Sequence, residues 1–167
     1  MKTVLTTYTI GSQTLALLPA KQIDYDTVVI KQSGTKYVRQ TPLKLIKAAC
    51  YDDWTTYEGR RQAVTHHTNF KQKVPIPISI DKGIYLFPTH SPRSIHNSWI
   101  AYQHIAFIKK APQHNPTGPA QSIIHYKNGQ TLQLDISMHI LKAQIQRTFE
   151  CMYRIEGRKK MEFNSSI

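Results

Sequence analysis

Apolar residues recur along this chain mostly in short alternating or unbroken runs, the pattern of β-strands, and hold helical spacing in only two places. Thr6–Ile10 and Thr14–Leu18 flank Gly11–Ser12–Gln13 and predict a hairpin stopped by Pro19. Thr27–Lys31 and Lys36–Gln40, around Gln32–Ser33–Gly34–Thr35, predict a second. Thr41–Pro42 then starts a helix to about Tyr51, with Thr as N-cap and Pro in the first turn. Leu43, Ile46 and Cys50 fall on one face of it. The middle reads as loop-rich, and Tyr57–Arg61 predicts at most a short helical turn. Val74–Ile78 must be extended, because proline disfavours helix for the residue before it. Ile84–Phe87 is a strong strand and Trp99–Lys109 is β-rich.

Pro112–Gln121 reads as a mobile Pro/Gly/Asn loop. Ser122–Tyr126 and Thr131–Leu134 surround Asn128–Gly129, the strongest short-range hairpin signal. Ser137 caps a last helix, with Leu141, Ile145, Thr148, Met152 and Ile155 on one stripe. Phe149 is expected to widen that stripe, Lys142, Gln146 and Arg147 to face outward, and Gly157 to end the helix. The expected fold is α+β, mostly short antiparallel strands and hairpins with one internal helix and a C-terminal helix. Residues 1–156 are expected to form a single domain, the DNA-binding one if its charge is met by nucleic acid, and 157–167 a short basic tail.

Charge changes the picture more than any other number. Lys plus Arg total 22 against 10 Asp plus Glu, a net +12 with histidine neutral. Between Gly59 and Leu134 the only carboxylate is Asp81, against nine Lys and Arg. Self-repulsion on this scale opposes compactness unless a polyanion relieves it, and each neutralised phosphate of a nucleic acid releases condensed counterions. The plainer alternatives are a basic protein kept soluble by its charge, or an anionic membrane surface. Two cysteines a hundred positions apart make no disulfide framework, and no apolar run is long enough for a transmembrane helix or a secretory signal. A reducing cytoplasm is the natural location.

Enzyme constellations are hard to assemble. A metal-dependent nuclease, the obvious rival, needs converging carboxylates. Asp24/Asp26, Asp52/Asp53, Asp81 and Asp135 read as solvated loop charge. His66–His67 with a distant Cys50 does not match zinc spacing, and Cys50 sits inside a helical apolar stripe as a buried thiol. No phosphate-loop, dinucleotide or nucleophile-elbow motif appears. No enzyme, metal or cofactor is expected.

A binding surface is easier to find. Tyr57–Glu58–Gly59–Arg60–Arg61 sets two guanidiniums beside a glycine, and Thr89–Ser98 is a ten-residue loop without an acid, holding hydroxyls, Arg93, Asn97 and two histidines. These are the usual donors to phosphates and base edges. No helix-turn-helix, zinc finger or basic zipper is present, so a major-groove helix is not indicated. Loops and strands often read the minor groove, where arginine is drawn to narrow A·T tracts. The aromatic residues, mostly at strand positions, are expected in the core rather than on a base-stacking platform.

Several blocks resemble the competence transcription factor (ComK) family of Gram-positive bacteria. Tyr57–Glu58–Gly59–Arg60–Arg61 is similar to its Tyr-Ala-Gly-Arg-Lys block, and Ile84–Tyr85–Leu86–Phe87–Pro88–Thr89 to its Ile-Phe-Leu-Phe-Pro-Thr. Trp99–Ile100 with His104, Asn128–Leu134 with Ile136–Ser137, and Ala16–Pro19 follow in the same order, from about Tyr8 to Arg147. The resemblance implies a transcriptional activator that binds paired A·T-rich boxes through the minor groove, as a dimer or higher oligomer, and switches on DNA-uptake genes. It marks Arg60, Arg61 and Arg93 as the DNA contacts. Longer relatives continue past the region of Met161–Ile167 with a tail that takes part in activation and adaptor-directed proteolysis, so transcription machinery or a proteolytic adaptor are further expected partners.

The expectation is therefore a cytoplasmic regulator of double-stranded DNA, with no membrane partner. Arg60, Arg61 and Arg93 enter or flank the minor groove; Lys71, Lys73, Lys109 and Lys110 hold phosphates; Ser91 and Asn97 supply neutral donors. The alternatives are a nucleic-acid-processing enzyme with dispersed carboxylates and a basic protein-interaction module.

Overall fold

The computed structural model describes residues 2–112, 118 and 120–166. Its chain order is β1 (Val4–Leu5), β2 (Thr14–Pro19), β3 (Thr27–Lys31), β4 (Gly34–Val38), α1 (Pro42–Asp52), α2 (Tyr57–Thr68), β5 (Ile76–Ser79), β6 (Ile84–Pro88) and β7 (Trp99–Ala101). A 3-10 turn (Tyr102–His104), β8 (Ile105–Lys110), β9 (Ser122–Tyr126), β10 (Thr131–Leu134) and α3 (Met138–Ser165) complete it. The α+β class is the one expected, with a second internal helix added. Most of the Pro112–Gln121 loop lies outside the described residues.

Seven strands form one sheet in the order β1-β4-β3-β2-β7-β6-β5, and three form a second, β10-β9-β8. The large sheet is covered on both faces. Leu17, Val29, Leu86, Trp99 and Ala101 point into a core closed by Leu45, Ile46, Ala49 and Cys50 of α1 and by Tyr57. Their neighbours Ala16, Phe87 and Ile100 point the other way, against Ile124 and Tyr126 of the small sheet and Leu141 of α3. Burial on both faces is why Leu15–Leu18 and Ile84–Phe87 read as unbroken apolar runs. Trp99, fully buried with Tyr57 edge-on at 6.4 Å, anchors the first core. At roughly 25 cal/mol per Å² over about 200 Å² of side chain, its burial contributes about 5 kcal/mol.

Four local expectations are corrected. Thr6–Ile10 is not a strand: β1 is Val4–Leu5, and it pairs in parallel with β4. The edges of β2 are already taken by β3 and β7. The Tyr57–Arg61 block opens a full twelve-residue helix, capped by Thr56, whose hydroxyl accepts from the Gly59 N–H at 2.9 Å, and ended by Asn69 at φ +65°. Gly157 does not end α3, which runs on to Ser165 and carries Arg158–Lys159–Lys160. The buried face of α3 is Leu141, Gln144, Thr148 and Cys151, so Phe149 is half exposed and stacked on Tyr153, while Arg147 turns inward. Both cysteines are buried, and burial pushes the Cys50 and Cys151 thiols up to about 11. No helix among the described residues is long and apolar enough to cross a membrane.

Candidate nucleic-acid interface

Four basic segments distant in sequence meet at one cleft of about 950 Å³. Lys47 comes from α1, Arg61 from the first turns of α2, Lys71 and Lys73 from the segment before β5, and Arg93 from the loop between β6 and β7. Ser91, Ser94 and Gln72 add neutral donors. The first turns of α2 and α3 also line it, through Tyr57, Glu58, Ser137 and Ile140, so two positive helix ends face the same space. Two carboxylates stand in the lining. Glu58 accepts from Arg61 at 3.2 Å, and Asp135 faces His90 at 3.6 Å. The remaining balance is strongly cationic, and charge of one sign along a concave wall concentrates the field for an anionic ligand.

The loop that presents Arg93 is held at its base. Thr89 N–H donates to the Ser98 carbonyl, Ser98 N–H returns to the Thr89 hydroxyl, and His90 N–H donates to Asn97 Oδ1, each at 2.9 Å. Ser91 and Arg93 are left exposed on the turn these bonds define. On the opposite wall α3 grips the segment carrying Lys71 and Lys73. Gln144 Nε2 donates to the carbonyls of Lys73 and Pro88, and the Arg147 guanidinium donates to the carbonyls of Gln72 and Lys73 while lying 4.4 Å from the Phe70 ring centroid. Lys73 sits at φ +49°, a conformation non-glycine residues adopt only where their surroundings hold them.

Of the nine residues expected to contact DNA, Arg61, Lys71, Lys73, Ser91 and Arg93 line this cleft. The other four do not. Asn97 is 2% exposed and staples the loop instead of reaching out of it. Arg60 points away from the cleft, with a side chain 13% exposed; it forms an ion pair with Asp53 and donates to the Pro77 carbonyl. Lys109 and Lys110 lie on β8 in the small sheet, where the Lys109 ammonium is 5.5 Å from the Phe107 ring centroid and that ring stacks on His125 at 4.4 Å. His90 belongs to the acid-free loop singled out from the sequence, whereas Lys47, Gln144 and Arg147 were not anticipated as part of the site. Only Lys47 carried a signal, as one of the lysines in the acid-free stretch from Thr27 to Tyr51.

Arg60 should therefore behave as a tie between α1, α2 and β5. Arg60→Met leaves the partly buried Asp53 carboxylate and the Pro77 carbonyl without their donor, and should cost about 2 kcal/mol in urea unfolding while changing DNA affinity less than Arg61→Ala does. A stable Arg60→Met protein that has lost most of its DNA affinity would refute that role.

The profile of a family described as ComK protein matches residues 5–160. A "Competence transcription factor" of Bacillus subtilis (strain 168) is 29% identical over 146 residues, which is 86% of this chain and 72% of that protein. No solved structure matches.

Proposed function

Because the chain belongs to the ComK protein family, we propose that it is a DNA-binding transcription regulator, an activator of competence genes, that seats A·T-rich double-stranded DNA against the basic cleft from the minor-groove side. The observation that supports this reading is the convergence of Lys47, Arg61, Lys71, Lys73 and Arg93 on one cleft from four separate segments. The lysines hold phosphates, and Arg61 and Arg93 reach into the groove, where a narrow A·T tract deepens the negative potential. The protein works in the cytoplasm as a homo-oligomer, one cleft to each A·T box, so that paired boxes are held by paired subunits.

Fluorescence anisotropy against A·T-box and G·C-rich duplexes, across a salt series and with a minor-groove competitor, tests the reading. Three lysines on phosphates and two arginines that also neutralise backbone charge from within the groove displace about five counterions, a slope of log K against log salt of about −4 to −5 per subunit. The expected result adds A·T preference and displacement by the competitor. Salt-steep binding with neither would leave a non-specific DNA binder, and no binding would overturn the reading.

A further inference from the structure

Trp54 occupies a position that the fold itself would give to glycine. Helix α1 ends with the Trp54 N–H donating to the Tyr51 carbonyl at 3.0 Å and the Thr55 N–H to the Cys50 carbonyl at 3.1 Å. This pair of bonds is a Schellman cap, in which the residue after the cap takes the left-handed conformation, and Trp54 takes it at φ +59°. A bulky side chain is strained there, whereas glycine is not. The indole gains nothing from packing in return. It is 97% exposed, and among the described residues it has no aromatic or cationic partner. A large aromatic that is strained and solvated at once is accounted for by a partner outside the chain.

The surroundings point to which partner. Lys44, Lys47 and Tyr51 are three and four apart on α1 and share a face, Tyr51 is 68% exposed, and Lys47 lines the basic cleft. Tyr51 thus follows Lys47 along the same helix face, one turn beyond the residue that lines the cleft, and Trp54 stands in the cap that ends that helix. Of the nearby carboxylates, Asp53 is engaged by Arg60 and Glu58 by Arg61, which leaves Asp52 exposed.

We propose that Trp54 is an intercalating wedge: its indole enters the minor groove at a pyrimidine–purine step of the A·T-rich duplex and partly unstacks it, with Tyr51 against the neighbouring sugar. TA steps are the ones that open most easily, and apolar side chains inserted at such steps kink DNA toward the major groove. The wedge rests on the DNA-binding reading above and adds to it the residue that reads deformability, a different source of sequence preference from the arginines. Asp52 faces the same backbone and weakens it, so Asp52→Asn should tighten binding severalfold.

The test is Trp54→Gly on the full chain. Glycine suits the left-handed position, so the variant should melt at or above the wild-type temperature, and a loss of binding cannot be blamed on folding. Its affinity for an A·T duplex with a central TA step should fall at least 10-fold with the salt slope unchanged, because no phosphate contact is removed. 2-Aminopurine at that step should brighten with wild-type protein and stay dark with Trp54→Gly, and Trp54→Phe should restore most of both signals. Excitation at 295 nm offers a second view, since Trp99 is buried and the DNA-sensitive emission should come from Trp54. Wild-type affinity and brightening in Trp54→Gly would overturn the wedge alone. Lost affinity without any brightening in the wild type would overturn insertion, and intact DNA binding with lost protein association would make Trp54 a protein contact. A wild type that binds no duplex would take the DNA-binding reading down with it.

Discussion

Replacing Arg61 and Arg93 together by alanine is expected to weaken binding to an A·T-rich duplex about 100-fold or more at fixed salt. Each arginine at a base edge or groove floor is worth about 1–3 kcal/mol, so losing both removes two or more powers of ten. The fold should survive. Arg93 is exposed, and Arg61 has only the solvated Glu58 pair to lose, an interaction of little net value at a surface. Two further changes should accompany the loss. The A·T-to-G·C ratio should fall toward one, because groove-reading arginines carry the preference, and the salt slope should shrink by up to about 2. Lys109→Ala with Lys110→Ala provides the contrast. Those side chains stand on the small sheet away from the cleft and should cost less than 10-fold, equally for both sequences. If the lysine pair proves as damaging as the arginine pair, the cleft is not where DNA sits.

That contrast separates what the residues alone could tell from what only the fold supplies. The α1 helix was legible because its signals are local: Thr41 and Pro42 open it, and Leu43, Ile46 and Cys50 recur at helical spacing, two of them in the buried face of Leu45, Ile46, Ala49 and Cys50. The β9–β10 hairpin was legible for the same reason, through Asn128–Gly129. Helix α2 was not. It buries only Tyr57, Val64 and Thr68, so no apolar stripe announces it, and its Thr56 cap precedes a Glu–Gly–Arg–Arg stretch that reads as loop. The pairing of β1 with β4 joins residues more than thirty positions apart, which no local pattern encodes.

The site divides along the same line. An acid-poor stretch of arginines and lysines marks a cationic surface correctly, yet it does not say which cation is spent internally. Arg60 and Arg61 are neighbours on a helix and therefore point in different directions. One meets Asp53, brought alongside by the turn between α1 and α2, and the other meets the cleft. Asn97, expected as a donor to DNA, is buried and staples the loop that exposes Ser91 and Arg93. Arg147 reverses the error, since a polar residue expected in water lies against Phe70 and holds a cleft wall.

The reach of α3 beneath that wall gives the second large effect. Gln144 is 2% exposed, and its amide serves the carbonyls of Lys73 and Pro88 at 3.0 and 2.7 Å. Gln144→Leu keeps the bulk and removes both donors, stranding the Pro88 carbonyl at a dry contact and leaving the Lys73 carbonyl to Arg147 alone. At about 1–3 kcal/mol for the stranded group, the variant should lose about 2 kcal/mol, which for a domain of this size lowers Tm by roughly 6 °C. DNA affinity should fall with it, about 10-fold when measured at 10 °C, well below the melting transition. Two causes combine there: Arg147 loses the side-chain oxygen that orients it, and the Gln72–Lys73 backbone is then held by one weakened grip while Lys73 must keep its left-handed conformation. A role confined to stability would lower Tm and leave low-temperature affinity intact. A role in positioning also raises amide exchange in residues 70–74 ahead of the rest of the fold, because the segment is released before the core that carries it. Should Gln144→Leu melt within about 2 °C of the wild type, or bind DNA normally in the cold, α3 does not set the position of Lys71 and Lys73, and the cationic wall holds its shape by some other means.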